Sequence, residues 1–190
     1  LSIDLNAITK IDATPFIMAC ISCKTDVIKI LIENVSALRI DLNRKDKSGR
    51  TGFHWACKNG HLHGHLGAVK ILMENATSFS IDLDSKDING WTGFHWACHR
   101  GTLDVLKIFM KNAVALNIDL NTKTKSDFTA FNLACDKGYL DVVNILMDNS
   151  DALGIDIYTQ NSSMQGSIVI GQKFGKLVAL SINLPNHNRK

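Results

Sequence analysis

Four stretches of this chain, 26–32, 67–73, 104–110 and 141–147, carry apolar residues in a wide stripe at helical spacing, as in Asp104-Val105-Leu106-Lys107-Ile108-Phe109-Met110. Each predicts a helix. Asp26, Asp104 and Asp141 open three of them, where capping and the helix dipole favour an acid. Asn34, Asn75, Asn112 and Asn149 close them, and asparagine tolerates the left-handed conformation that often ends a helix. Ahead of each lies a shorter helical segment opened by threonine: Thr14-Pro15-Phe16-Ile17-Met18-Ala19-Cys20, Thr51-Gly52-Phe53-His54-Trp55-Ala56-Cys57, Thr92-Gly93-Phe94-His95-Trp96-Ala97-Cys98 and Thr129-Ala130-Phe131-Asn132-Leu133-Ala134-Cys135. The threonines are N-cap candidates, and Gly60, Gly101 and Gly138 end the segment nine residues later.

The chain is therefore self-similar. Its threonines stand 37, 41 and 37 residues apart, and the longer interval holds a near-duplication, Gly60-His61-Leu62-His63 followed by Gly64-His65-Leu66. A third phrase recurs between blocks: Ile40-Asp41-Leu42-Asn43, Ile81-Asp82-Leu83-Asp84, Ile118-Asp119-Leu120-Asn121 and Ile155-Asp156-Ile157-Tyr158. It alternates apolar and polar, then reaches Asp46-Lys47-Ser48-Gly49 or Asp87-Ile88-Asn89-Gly90, which reads as a β-like hairpin. One block is hairpin, helix, turn, helix. The phrase Leu1-Ser2-Ile3-Asp4-Leu5-Asn6 repeats the hairpin run before any helix pair, so the chain is expected to start inside a repeat and to be a piece of something longer. From about Ser162 the pattern is gone.

The Thr-Pro-Phe and Thr-Gly-Phe-His signatures, with Gly60-His61-Leu62 and Val69-Lys70-Ile71-Leu72 after them, resemble the ankyrin repeat. That family's unit has about 33 residues, a β-turn and two helices. The resemblance covers roughly residues 1–161 and implies an all-α repeat solenoid. In it, helix-turn-helix units stack, joined by β-hairpin-like loops. Boundaries fall at a partial repeat 1–8, repeats of about 9–45, 46–86, 87–123 and 124–161, and a tail 162–190 that forms a strand-pair cap or stays disordered. The four extra residues per unit are assigned to the connection after the second helix. Glycine replaces proline at Gly52 and Gly93, which predicts softer helix starts there. Asp12 and Asp127 stand where other tips have glycine, and aspartate tolerates the left-handed region less well.

Composition narrows the function. Apolar residues make up 45% and charged residues 21%, a globular balance. The net charge of +3 is spread along the chain, unlike the basic clusters of a nucleic-acid binder. No run reaches the roughly 18 apolar residues of a membrane span. Five cysteines and no secretory signal point to a reducing, intracellular setting, cytoplasmic or nuclear. Cys20, Cys57, Cys98 and Cys135 share one position and read as small buried thiols. Cys20-Ile21-Ser22-Cys23 is a lone pair without zinc-finger spacing, and His61, His63 and His65 belong to the duplicated loop. No metal or cofactor is expected. His54 and His95 read as groups that tie a helix start to neighbouring backbone. Phe53, Trp55, Phe94 and Trp96 read as core.

No nucleophile, base and orienting group come together in this pattern, so no enzyme is expected. Stacked repeats bury a shared core and offer an extended surface to another protein. The resemblance places that surface on the hairpin tips and the outer face of the first helix. In this chain the tips are Lys47, Ser48 and Arg50; Ile88, Asn89 and Trp91; Lys125, Ser126 and Phe128. The helix positions are Lys58 and Asn59, His99 and Arg100, and Asp136 and Lys137. They vary from copy to copy while the frame around them does not. Trp91 and Phe128, with Ile88 and Arg100, are the hot-spot candidates. The expectation is a monomeric, non-catalytic scaffold for a partner protein, with no nucleic acid and no membrane insertion. The alternative is the regulatory or targeting array of a larger enzyme or channel.

Overall fold

Residues 4–60, 65–158, 168–173 and 176–181 are described in the computed structural model of the chain. Along them run α1 (Pro15–Ile21), α2 (Thr25–Glu33), α3 (Val35–Leu38), α4 (Gly52–Asn59), α5 (His65–Glu74), α6 (Gly93–Arg100), α7 (Leu103–Asn112), α8 (Ala130–Lys137), α9 (Leu140–Asp148) and α10 (Ser150–Leu153). The threonine-led helices α1, α4, α6 and α8 stack side by side in one layer, and α2, α5, α7 and α9 form a second layer behind them. Beyond the array, β1 (Ile168–Lys173) and β2 (Lys176–Ser181) pair antiparallel, with Ile168 opposite Ser181 and Lys173 opposite Lys176. The second of these strands comes into contact with α8.

The core is shared between units. Phe16, Phe53, Phe94 and Phe131 are buried in register, as are the alanine and cysteine pairs that end each signature. Phe109 from α7 lies against both Phe53 and Phe94, at ring separations of 5.9 and 5.0 Å. A β-carbon at Gly93 would stand 2.7 Å from the Phe53 ring, and one at Gly52 2.8 Å from the Phe16 ring. Glycine at these helix starts is therefore a packing requirement, with the preceding unit's phenylalanine in the space. Burial of such side chains contributes roughly 1.5–3 kcal/mol each. The apolar stripe is incompletely used in the first unit. Val27 and Ile30 are exposed, whereas their equivalents Ala68 and Ile71 are buried. Those two sit on α5, which has α2 as a neighbour on that side.

Helix ends depart from expectation in two ways. Asp26, Asp104 and Asp141 lie in the first turn, two residues inside the cap positions Lys24, Thr102 and Tyr139, whose side chains accept no capping bond from their helices. Their contribution is to the dipole and not to capping. The closing asparagines are not left-handed: Asn34 has φ −105° and Asn149 φ −99°. Each instead folds its amide back onto the helix, Asn34 to Ile30 O, Asn75 to Ile71 O and Asn112 to Ile108 O at 2.8 Å, and Asn149 to Ile145 O at 2.7 Å. The carbonyls of Ile30, Ile71 and Ile145 also accept the backbone N–H of the same asparagine, so the amide adds a second bond that holds the helical turn in place. Reversal comes five residues later, at Arg39, Ser80, Asn117 and Gly154, all with positive φ. Between asparagine and reversal the extra residues wind a further turn, as in α3 and α10.

The tips are tight turns with left-handed Asp12, Gly49, Gly90 and Asp127. Gly49 has a second reason to lack a side chain, since a β-carbon would lie 2.8 Å from Ile88 N. One backbone bond joins each tip to the next: Lys47 N to Ile11 O at 3.1 Å, Ile88 N to Ser48 O at 3.1 Å, and Lys125 N to Asn89 O at 3.0 Å. The alternating phrases bury Ile40, Leu42, Ile81, Leu83, Ile118 and Leu120 but do not pair as strands. A side-chain ladder links them instead. Asn6 accepts from Asp41 N and donates to Arg39 O, Asn43 accepts from Asp82 N and donates to Ser80 O, and Asn121 accepts from Asp156 N and donates to Gly154 O. At the third rung the residue is Asp84, which accepts from Asp119 N at 3.2 Å and has nothing to donate.

Candidate functional site

Threonine at each first-helix start shapes the face that follows. In the second unit, Thr51 N and Oγ1 both converge on His54 Nδ1, at 3.1 and 2.9 Å. A backbone amide can only donate, so the proton of the neutral ring is on Nε2, which donates to Trp91 O of the next unit at 2.9 Å. His95 repeats the arrangement with Thr92 and reaches Phe128 O at 3.3 Å. Asn132 reproduces the Thr129 half of it with Oδ1. Burial holds both imidazoles below their usual range, His95 at about 4, against the raising effect of the carbonyls. They are fixed links between units, as their place in the signature implies.

Asp46 and Asp87, both buried, organise the tips. Asp46 Oδ1 accepts from Ser48 N and Arg50 N while Oδ2 accepts from Trp55 Nε1 at 2.9 Å. Asp87 does the same for Asn89 N, Trp91 N and Trp96 Nε1, the last at 3.3 Å. Trp55 is thus half-buried at the junction of tip and helix face, not in the core beside Phe53. Sequence reasoning missed this brace. Its signal was present: aspartate at positions 46 and 87 accompanies tryptophan nine residues on, whereas Thr9 and Thr124 accompany Met18 and Leu133.

On these indoles stands a cationic cluster. The Arg50 guanidinium lies 5.0 Å from the Trp55 ring centre and 4.7 Å from that of Trp96, with Nε 3.7 Å from Asp87. The Lys58 ammonium lies 4.4 and 4.8 Å from the same two rings. Trp91 folds onto the helix of its own unit, 4.6 Å from Trp96 and 4.9 Å from His99. Burial, then the charges of Arg50 and Arg100, lower the pKa of Lys58. Burial, then Lys137 and Arg100, lower that of His99. Arg50, Lys58, Trp91, His99, Arg100 and Lys137 are therefore brought to one region.

Other expected contact residues are distributed along the same edge. Lys47, Ile88, Asn89, Lys125 and Ser126 are exposed at the tips, and Ser48 and Phe128 are half-buried there. Lys137 pairs with Asp136 at 3.7 Å. Asn59 is engaged inside the array, donating to Ile21 O of the preceding unit at 3.2 Å.

Two stretches, residues 2–81 and 62–161, match the family described as ankyrin repeats (3 copies). The chain belongs to the ankyrin-repeat family. No curated protein matches it. Ankyrin repeats generally mediate protein–protein interaction and are typically non-catalytic. The five cysteines of this ankyrin array are free, four of them buried. Burial raises the thiol pKa throughout, to about 12 for Cys23 and Cys135. Among the described residues no three metal-ligating side chains converge, and no helix is long and apolar enough to cross a membrane. His61, His63 and the His65 side chain lie outside the described residues, as does most of 162–190.

Proposed function

We propose that this chain is a non-catalytic scaffold that holds a partner protein against its tips and first-helix face. One observation carries the reading: the residues that differ between units at fixed positions fall on one edge of an array whose buried frame is nearly constant. Positions 47, 88 and 125 sit on consecutive tips joined by backbone bonds, and 58 and 99 on neighbouring helices of one layer. Rigid spacing of variable side chains lowers the entropic cost of ordering an interface. A photo-crosslinking residue at 47, 88 or 125 is expected to capture a partner protein. The same residue at 29, 70 or 107, exposed on the second helices, is expected not to. Equal capture from both faces, or none from the tips, would overturn the proposal.

A further inference from the structure

Resting on that scaffold reading, we propose that the indole platform around Trp96 receives an acidic segment of the partner, whose carboxylates settle between Lys58, Arg100 and the Arg50 edge. Charge complementarity carries the assignment. Asp46 and Asp87, the carboxylates nearest Lys58, are already committed to turn amides and indole N–H groups, and Asp87 also to Arg50. Lys58 and Arg100 make no ion pair among the described residues. Two buried nitrogens beside the same platform also have no hydrogen-bond partner among the described residues, Arg50 Nε and His99 Nδ1. The Arg50–Asp87 approach of 3.7 Å is an ion pair too long for a hydrogen bond.

Like charges held near one another raise the energy of the free surface, and an incoming anion relieves that repulsion. An acidic peptide fits better than a nucleic acid. Single-stranded nucleic acid needs open aromatic faces for its bases to stack on. Here Arg50 and Lys58 already lie over the rings of Trp55 and Trp96.

The test is a random-peptide selection on the whole chain, run in parallel on Lys58→Glu/Arg100→Glu and on the milder Lys58→Gln/Arg100→Gln, with circular dichroism and melting as fold controls. Peptides selected by the wild type are expected to be rich in aspartate and glutamate. They should bind the charge-reversed variant roughly tenfold more weakly or worse, bind the Gln variant with an intermediate loss, and weaken as salt shortens the screening length. Peptides without acidic bias that still crosslink at the tips would overturn this inference and leave the scaffold standing. Selection of nothing would overturn both. Displacement of the peptide by an oligonucleotide of equal charge, but not by inorganic phosphate, would reassign the platform to nucleic acid.

Discussion

Replacing Asp84 by asparagine is expected to stabilise the array. At the other three rungs of the ladder an asparagine makes two bonds to the next unit, accepting at 2.8–2.9 Å and donating at 2.7–2.8 Å. Asp84 keeps only the acceptor bond, at 3.2 Å, and its Oδ1 is buried without a partner among the described residues. By register with the other rungs, an asparagine amide here would donate to the carbonyl of Asn117, which an aspartate oxygen cannot do. Asparagine supplies the missing donor, worth about 0.5–1.5 kcal/mol, and removes an unpaired buried oxygen, worth about 1–3 kcal/mol at full burial. Asp84 is only half-buried, so the sum should be roughly 1–2.5 kcal/mol at neutral pH, or about 2–4 °C in Tm per kcal/mol for a chain of this size.

The pH dependence identifies the cause. Burial raises the folded pKa of Asp84; the bond from Asp119 N offsets part of that, repulsion from the carboxylates of Asp119 and Asp82 adds to it, and Lys86 offsets a little more. A raised carboxyl pKa means the native state holds its proton longer than the unfolded chain. The penalty is absent below the unfolded value of about 3.9, grows as pH rises through the folded value, and is complete above it. Denaturant melts of wild type and Asp84→Asn at pH 4 and pH 7 therefore check the idea: the gain should be small at the first and full at the second. The reverse change, Asn43→Asp, should introduce the same defect one unit earlier. A neutral or destabilising Asp84→Asn, or a gain independent of pH, would refute the reasoning.

Three further outcomes are expected. Because His54 and His95 are folded with lowered pKa values, the stability they contribute is full above about pH 6.5 and lost as pH falls through their folded values, about 4 for His95. The His54→Asn/His95→Asn double variant, which copies Asn132, should flatten that acid limb in denaturant melts while costing about 1–2 kcal/mol at pH 7 for the lost links to Trp91 O and Phe128 O. Trp91→Ala should lower stability by about 1 kcal/mol, since it removes aromatic contacts with Trp96 and His99, yet sharply reduce partner capture. Loss of folding instead would place Trp91 in the core. In thiol titration of the native protein Cys23 should react first and slowly, with Cys20, Cys57, Cys98 and Cys135 following only on unfolding.

Much of the architecture was legible because it is local and recurrent. The threonine-led helices, the buried Phe, Ala and Cys positions, the left-handed Asp12 and Asp127, and the linking histidines all repeat at readable spacing. Helix ends were less legible. Asparagine both tolerates reversal and can cap with its amide, and Asn34, Asn75, Asn112 and Asn149 take the second course. At the candidate site the list of exposed residues could be drawn up from the signature, but their grouping could not. Arg50 meets Trp96 across 46 positions of chain, and the amide ladder spans 33 to 39. No local pattern encodes such contacts. The difference between Asp84 and its three asparagine counterparts was visible in the chain but carried no meaning until the ladder was seen.

The weakened rung gives the array a seam. Where α6 and α7 meet α8 and α9, the ladder lacks its donor and the histidine link is long, 3.3 Å against 2.9 Å at the preceding junction. Under tension or partial denaturation the stack is expected to tear there, shedding the last helix pair while the earlier three hold together. The Trp96 platform, on the near side of that tear, would keep its form.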